Sequence, residues 1–231
     1  MLSERIAVPF IDKTIIDISY ARKILNDFDT SLGSSMKPVP IDGIIASKGL
    51  IIKTGTITKD KSIHGMLVFG SSDVDLWDEE NQKNRTVFCN GKTIYIDELL
   101  LDQTLKNRYR FTLAHEYAHW VLHSKIVKKL AKEKKLLPYL TCKERNINVE
   151  LIDQIEASCE RQANYLAGAI LMPYLPLKYY CQENSFNILD TEYLSEQVKL
   201  LSCKFSVSVK AMYVRLRQLG YIDNIKDLER S

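Results

Sequence analysis

The five residues His115-Glu116-Tyr117-Ala118-His119 constrain this chain more than any other feature of its sequence. The two histidines are four residues apart, and on an α-helix this spacing places both imidazole rings on one face, one turn apart. Both rings can then reach one zinc ion, while Glu116 can hold the water molecule that the ion polarises. The motif predicts a helix with His115 and His119 as metal ligands and Glu116 as catalytic base.

The surrounding residues support such a helix. An apolar stripe fixes one face in the core, and the two histidines fall beside it, at an edge that faces a cleft. Asp102 and Thr104 are both acceptable N-cap residues for its start. The stripe consists of Phe111, Ala114, Ala118, Val121 and Leu122.

A catalytic zinc site needs a third protein ligand and an open position for water. His123 continues the histidine series, but on a straight helix it lies roughly 12 Å along the axis from His115. One ion with bonds near ~2 Å cannot comfortably take ligands from all three positions. We therefore interpret His123 as a residue at the cleft edge, or one that contacts a ligand, in preference to a third ligand.

The better candidate is Glu160, in a helix that Pro173 ends. Glu160, Asn164 and small alanines share one face, so this helix can approach the histidine helix closely and bring Glu160 to the metal. Asn164, one turn further on, is placed to hold the second nitrogen of a ligand histidine. Glu156, one turn earlier on the same face, is the less favoured rival.

Composition narrows the class of protein. The apolar content of 45% and charged content of 26% are those of an ordinary globular protein, and a net charge of +3 is too weak to indicate nucleic-acid binding. Five scattered cysteines without a CxxC pair favour reduced thiols over disulfides. The N-terminus makes a poor signal peptide, and no run approaches transmembrane length. We expect a cytoplasmic protein with no membrane partner.

Helical spacing and breaker residues predict three parts: an N-terminal helical extension (1–36), a core (37–178) and a C-terminal helical subdomain (179–231). The last part resembles a helix-turn-helix, with helices over 194–204 and 209–219. Its second helix is largely apolar, so we favour packing against the core or recognition of a substrate over DNA binding.

Short β-branched and aromatic runs predict strands at 50–54, 63–69 and 93–96, and the polar stretch 70–92 predicts a hairpin loop or an excursion. The strand Ile94-Tyr95-Ile96 directly precedes the histidine helix. We expect it to form an exposed sheet edge against which an extended substrate peptide could pair.

Two blocks, RFTLAHEYAHWVLH at 110–123 and ERQANYLAGAILMP at 160–173, resemble the ImmA/IrrE family of zinc-dependent metallo-endopeptidases. The second block departs from the family pattern at Gln162, which replaces an acid, and at Leu166, which replaces a phenylalanine. Weaker similarity in the flanks extends the resemblance to about residues 37–222.

The resemblance implies one Zn²⁺ per chain held by His115, His119 and Glu160, with Glu116 as catalytic base. It implies an α+β fold: a mostly helical zincin-like peptidase core with a small antiparallel or mixed sheet. It also implies a substrate, a helix-turn-helix transcriptional repressor of a mobile element or stress regulon. The alternative is a non-catalytic DNA- or repressor-binding regulator or toxin that keeps this fold.

Overall fold

The computed structural model describes residues 11–132, 139–143, 152–186 and 191–222. These residues form seven helices and six strands, an α+β arrangement as predicted. In chain order they are α1 (13–28), α2 (Ile41–Ser47), β1 (Ile51–Thr54), β2 (Ile63–Val68), β3 (Ser72–Asp78), β4 (Lys83–Cys89), β5 (Thr93–Ile96), α3 (Lys106–Lys132), β6 (Tyr139–Lys143), α4 (Ile152–Leu171), α5 (Tyr174–Glu183), α6 (Thr191–Phe205) and α7 (Val209–Gln218). The middle of α1, Ile16–Ala21, is a π-helical segment.

The main sheet is mixed and has the strand order β1-β5-β2-β6. β5 runs parallel to β1 and antiparallel to β2, and β2 is antiparallel to β6. The predicted strands at 50–54, 63–69 and 93–96 are therefore confirmed. β2 and β5 pack against α3, so the sheet supports the helix that carries the two histidines.

The prediction that Ile94, Tyr95 and Ile96 form an exposed sheet edge is wrong. β5 lies between β1 and β2, and each of these three residues is at most 2% exposed. Both rows of backbone hydrogen-bonding groups are already engaged by neighbouring strands, so no peptide can pair with β5. The unbroken apolar run of this strand is typical of an interior position, whereas an edge strand with one solvated face shows alternation.

The stretch 70–92, for which the sequence predicted a hairpin loop or an excursion, joins the antiparallel strands β2 and β5 and itself contains a β-hairpin. β3 and β4 pair antiparallel in a sheet of their own, with Ser72 opposite Cys89 and Asp78 opposite Lys83. Val74 and Leu76 are buried in a small second hydrophobic cluster against the main sheet, which ties the hairpin to β2 and β5.

The start of the histidine helix follows the expected capping chemistry. The carboxylate of Asp102 accepts hydrogen bonds from the backbone N–H and the hydroxyl of Thr104, and so caps a 3₁₀ turn at Gln103–Leu105. The α-helical hydrogen-bonding pattern of α3 begins directly after this turn, at Lys106. Asp102 therefore caps the turn that leads into α3.

Helices α3 and α4 pack closely because small residues line their interface. Ala114 and Ala118 of α3 and Ala163 and Ala167 of α4 are completely buried in the main core. With only a methyl group at each of these positions, the two helix backbones can approach each other more closely than larger side chains would allow. This approach brings the face of α4 that carries Glu160 to the histidines of α3.

One hydrophobic cluster contains residues from all three parts predicted for the chain, among them Leu25, Leu113 and Leu216. The N-terminal and C-terminal helices thus share the core of the central part. The division into three domains, and a helix-turn-helix character of α6 and α7, stay predictions. None of the described helices combines the length and the apolar composition that crossing a bilayer requires.

Candidate metal centre

Three side chains converge between α3 and α4. The Nε2 atoms of His115 and His119 are 3.0 Å apart, and each lies 3.2 Å from one carboxylate oxygen of Glu160. Both histidines are 2% exposed, while the side chain of Glu160 is 26% exposed and reaches the solvent side of the cluster. Among the described residues, these three form the only such group of potential metal ligands.

The separations between these atoms fit a zinc site. Ligand atoms about 2.0–2.2 Å from one tetrahedral ion lie about 3.3 Å from one another, close to the three separations in the structure. Two imidazole nitrogens and one carboxylate are also a ligand set that catalytic zinc sites use. The group therefore fits zinc, and the side chain of the rival Glu156 lies outside the described residues.

The electrostatic environment favours the ligating forms of these groups. Burial lowers the pKa of His119 to about 4, so its imidazole is neutral at neutral pH and keeps a lone pair. For Glu160, burial alone would raise the pKa of the carboxyl group. The closeness of the His115 and His119 rings outweighs that effect, and the pKa of Glu160 lies well below its usual value.

The other ring nitrogen of each histidine is also engaged. Nδ1 of His115 lies 3.1 Å from Oδ1 of Asn164, an acceptor, so Nδ1 carries the proton and Nε2 is left with its lone pair. The sequence analysis predicted that Asn164 would contact the second nitrogen of a ligand histidine. Holding the second nitrogen of a ligand histidine orients the ring and selects its tautomer.

His119 is held through a longer chain of contacts. Oε1 of Gln162 is 3.1 Å from Nε2 of His123, and Nδ1 of His123 is 3.1 Å from Nδ1 of His119. Because the Gln162 oxygen can only accept, His123 carries its proton on Nε2 and accepts from His119 through Nδ1. His119 then has its lone pair on Nε2, towards Glu160. His123 is fully buried and contacts the candidate ligand His119.

Sequence reasoning missed Gln162 as part of the site. In the sequence, Gln162 is only a departure from the second block of the family pattern. It is not one helical turn away from either Glu160 or Glu156. Residues two apart do not share a helix face, so its spacing from Glu160 gave no signal, and only the approach of α3 and α4 puts Gln162 against His123.

Glu116 lies next to the cluster and is 1% exposed. Burial raises the pKa of its carboxyl group to about 8, the charge of Glu160 adds to the increase, and His115 opposes it. Neither carboxylate oxygen of Glu116 has a hydrogen-bond partner among the described residues. Because an unpaired buried carboxyl group is costly, it is found where function requires it, as in a site that binds water or substrate.

Gly65 of β2 makes the position of Glu116 possible. A Cβ atom at residue 65 would lie 2.6 Å from Oε1 of Glu116 and 2.6 Å from Cγ2 of Thr112, closer than carbon and oxygen atoms can approach. Only glycine allows β2 to run this close to α3. The sequence contained no signal for this contact, because Gly65 and Glu116 are far apart in the chain.

Comparison with known protein families agrees with this site. The family model described as the IrrE N-terminal-like domain, Peptidase_M78, matches residues 64–217, which is about two thirds of the chain. The matched region contains all three converging side chains as well as Glu116. No curated protein matches the sequence.

Proposed function

Since the matching region covers more than half of its length, the chain belongs to the IrrE N-terminal-like family of metallopeptidases, and we propose that it is a zinc-dependent endopeptidase that cuts one specific protein. The convergence of His115, His119 and Glu160, with Glu116 beside them, is the observation that carries this proposal. An unpaired carboxyl group next to a ligand set for zinc matches the requirements of metal-assisted peptide hydrolysis.

We assign one Zn²⁺ per chain to His115, His119 and Glu160. A zinc ion bound there would supply Lewis acidity, which would activate water for attack and polarise the scissile carbonyl group. Asn164 and His123 keep the two imidazole rings in the tautomer that exposes Nε2.

Glu116 moves the proton in this mechanism. Its carboxylate takes a proton from the attacking water and later delivers it to the nitrogen of the leaving amine. A general base works best when its pKa lies near the working pH; burial raises the pKa of Glu116 above the ordinary carboxyl value, and the charge of a zinc ion beside it would lower it. Because Gly65 has no side chain, the carboxylate of Glu116 can occupy the position beside the ligands.

The proposed substrate is a helix-turn-helix transcriptional repressor of a mobile element or a stress regulon, cut in the cytoplasm. Membership of a peptidase family supports a protein substrate, and the resemblance of the two zinc-site blocks supports this class of protein. Cysteines that are scattered and not paired in sequence agree with a reducing compartment.

DNA binding is the less favoured role for the C-terminal helices. Arg215, one of the two arginines of α7 that could contact a base, is 1% exposed and bonded to Asp17. Met212 and Leu216 of the same helix are fully buried in the core. The cations that α7 exposes are then Lys210 and Arg217, a small set for base recognition.

The test is zinc per chain in three purified proteins: wild type, Glu116→Gln and Glu160→Gln. One zinc in the first two and a marked loss in the third would support the assignment. Unchanged zinc in Glu160→Gln would move the third ligand elsewhere, and wild type that takes up no zinc would favour the non-catalytic regulator. Co-expression with a candidate repressor should then give cleavage that Glu116→Gln abolishes.

A further inference from the structure

A cavity of about 570 Å³ lies between α3, α4 and α7, beside the candidate metal centre. Its size falls within the roughly 300–1,000 Å³ typical of ligand pockets. Most of its wall is apolar and comes from all three helices and the residues next to them. These residues are Phe111 of α3, Gly168 of α4 and Met172 directly after it, Val207 shortly before α7, and Ala211 and Val214 of α7.

Asn164 connects the cavity with the metal centre, and Arg108 connects it with the residue before Gly65. Asn164 lines the cavity and also accepts the hydrogen bond from His115. Arg108 lines it from the other side, and its guanidinium group lies 2.7 Å from Nε2 of His64, the residue before Gly65. A peptide whose scissile bond lies at Glu116 would therefore have this cavity within reach of a neighbouring side chain.

Along α3 and α4, one residue that lines the cavity lies one turn from a residue of the metal centre. Phe111 precedes His115 by one turn of α3, and Gly168 follows Asn164 by one turn of α4. One helical turn is about 5.4 Å, which is close to the length that separates a peptide bond from the end of its own side chain. The distance suits a side chain attached next to the scissile bond.

The charged residues around the cavity are all cationic. Arg108 and Lys210 are exposed and stand at its rim, while Arg215 is buried and bonded to Asp17. No acidic residue occurs among the described residues that line the cavity. Two rim cations beside an apolar wall complement an anionic group next to an apolar one.

We propose that this cavity selects the cleavage site: it binds a large apolar side chain next to the scissile bond, with an acidic residue of the substrate beside it against Arg108 and Lys210. The inference rests on the proposed function and names the substrate feature that the same site would recognise. It also gives α7 a role as the wall that determines specificity, through Ala211 and Val214.

Binding to the zinc-loaded protein tests this without catalysis. Acetohydroxamate reports on the metal alone, and 3-phenylpropanohydroxamate adds an apolar group that can enter the cavity. Burying a phenyl group should tighten the dissociation constant, measured by calorimetry, roughly 10–100-fold. A third ligand, the phenyl compound with a coupled aspartate, should bind more tightly still.

Variants that fill the cavity should remove only the added affinity that the phenyl group provides. Ala211→Phe and Val214→Phe should each bind the phenyl compound no more tightly than acetohydroxamate, with zinc content and acetohydroxamate affinity unchanged. Val209→Phe is the matched control, because this residue of α7 is exposed and does not line the cavity, and it should keep the full gain. Lys210→Glu should lose the added affinity of the aspartate compound and keep that of the phenyl compound.

The possible failures are distinguishable. Wild type that holds no zinc and binds no acetohydroxamate would overturn the proposed function together with this inference. Two outcomes would overturn the inference alone. In the first, the protein binds acetohydroxamate but binds the phenyl compound no more tightly. In the second, the added affinity of the phenyl compound remains in both Ala211→Phe and Val214→Phe. Equal affinity of the phenyl compound for zinc-free protein would identify a small-molecule site instead, and would also overturn it.

Discussion

Replacing Arg215 by methionine should destabilise the protein strongly, although this residue is not one of the candidate metal ligands or their contacts. Arg215 of α7 is 1% exposed. Its guanidinium group donates two hydrogen bonds to the carboxylate of Asp17 in α1, and its Nε donates to the carbonyl oxygen of Met172 at 3.1 Å. The ring of Tyr165 lies 5.3 Å from the guanidinium carbon, and its hydroxyl donates to Asp17 at 2.7 Å.

The magnitude follows from the groups left behind. Methionine can replace much of the apolar stem of Arg215, but it leaves the buried Asp17 carboxylate with Tyr165 as its remaining donor among the partners described here. Breaking a buried ion pair by removing one partner costs about 3–5 kcal/mol. The Met172 carbonyl also loses its donor from Arg215, which adds to the cost. We expect Arg215→Met to lower the free energy of unfolding by about 3–5 kcal/mol.

Urea unfolding of the zinc-loaded proteins, extrapolated to water, measures this change. In the double variant Asp17→Asn/Arg215→Met, neither charge is left buried and an asparagine can still accept from Tyr165. Its loss should therefore be smaller than the sum of the two single losses. Lys210→Met is the control, because Lys210 is exposed on the same helix, and it should change the free energy by at most about 0.5 kcal/mol. A loss below about 1 kcal/mol in Arg215→Met, or strict additivity in the double variant, would refute this reasoning.

Three further predictions concern the site and the thiols. Gly65→Ala should retain one zinc but lose about 100-fold in peptidase activity and about 1–3 kcal/mol of stability, because its methyl group displaces Glu116; normal activity would contradict this. Gln162→Ala should weaken zinc affinity about 10–100-fold in a chelator competition, because His123 no longer holds the tautomer of His119; unchanged affinity would exclude that role. Iodoacetamide at pH 8 should label the exposed Cys203 in the native protein, and mass spectrometry should find Cys181, whose pKa burial raises to about 12, unlabelled until unfolding.

Local sequence patterns predicted much of the secondary structure and the members of the metal cluster. The spacing of His115 and His119 requires only a helix to bring the two rings together, and the capping residue Asp102 and the terminating Pro173 mark where such helices begin and end. The alanine-rich face of α4 predicted its approach to α3 and the position of Glu160. Each of these signals is contained within a few turns of one helix, so a single sequence is enough to read it.

The sequence by itself determined the helix with two histidines on one face, the helix that brings Glu160 to them, and three strands of the main sheet. Only the tertiary structure decided the order of those strands, and with it the interior position of β5. It also decided the close approach of Gly65 to Glu116, the contact of Gln162 with His123, and the pairing of Arg215 with Asp17, 198 residues apart in the chain. The physical reason is that helical and strand periodicity arises from neighbouring residues, whereas strand order and long-range contacts depend on how the complete elements pack into one core.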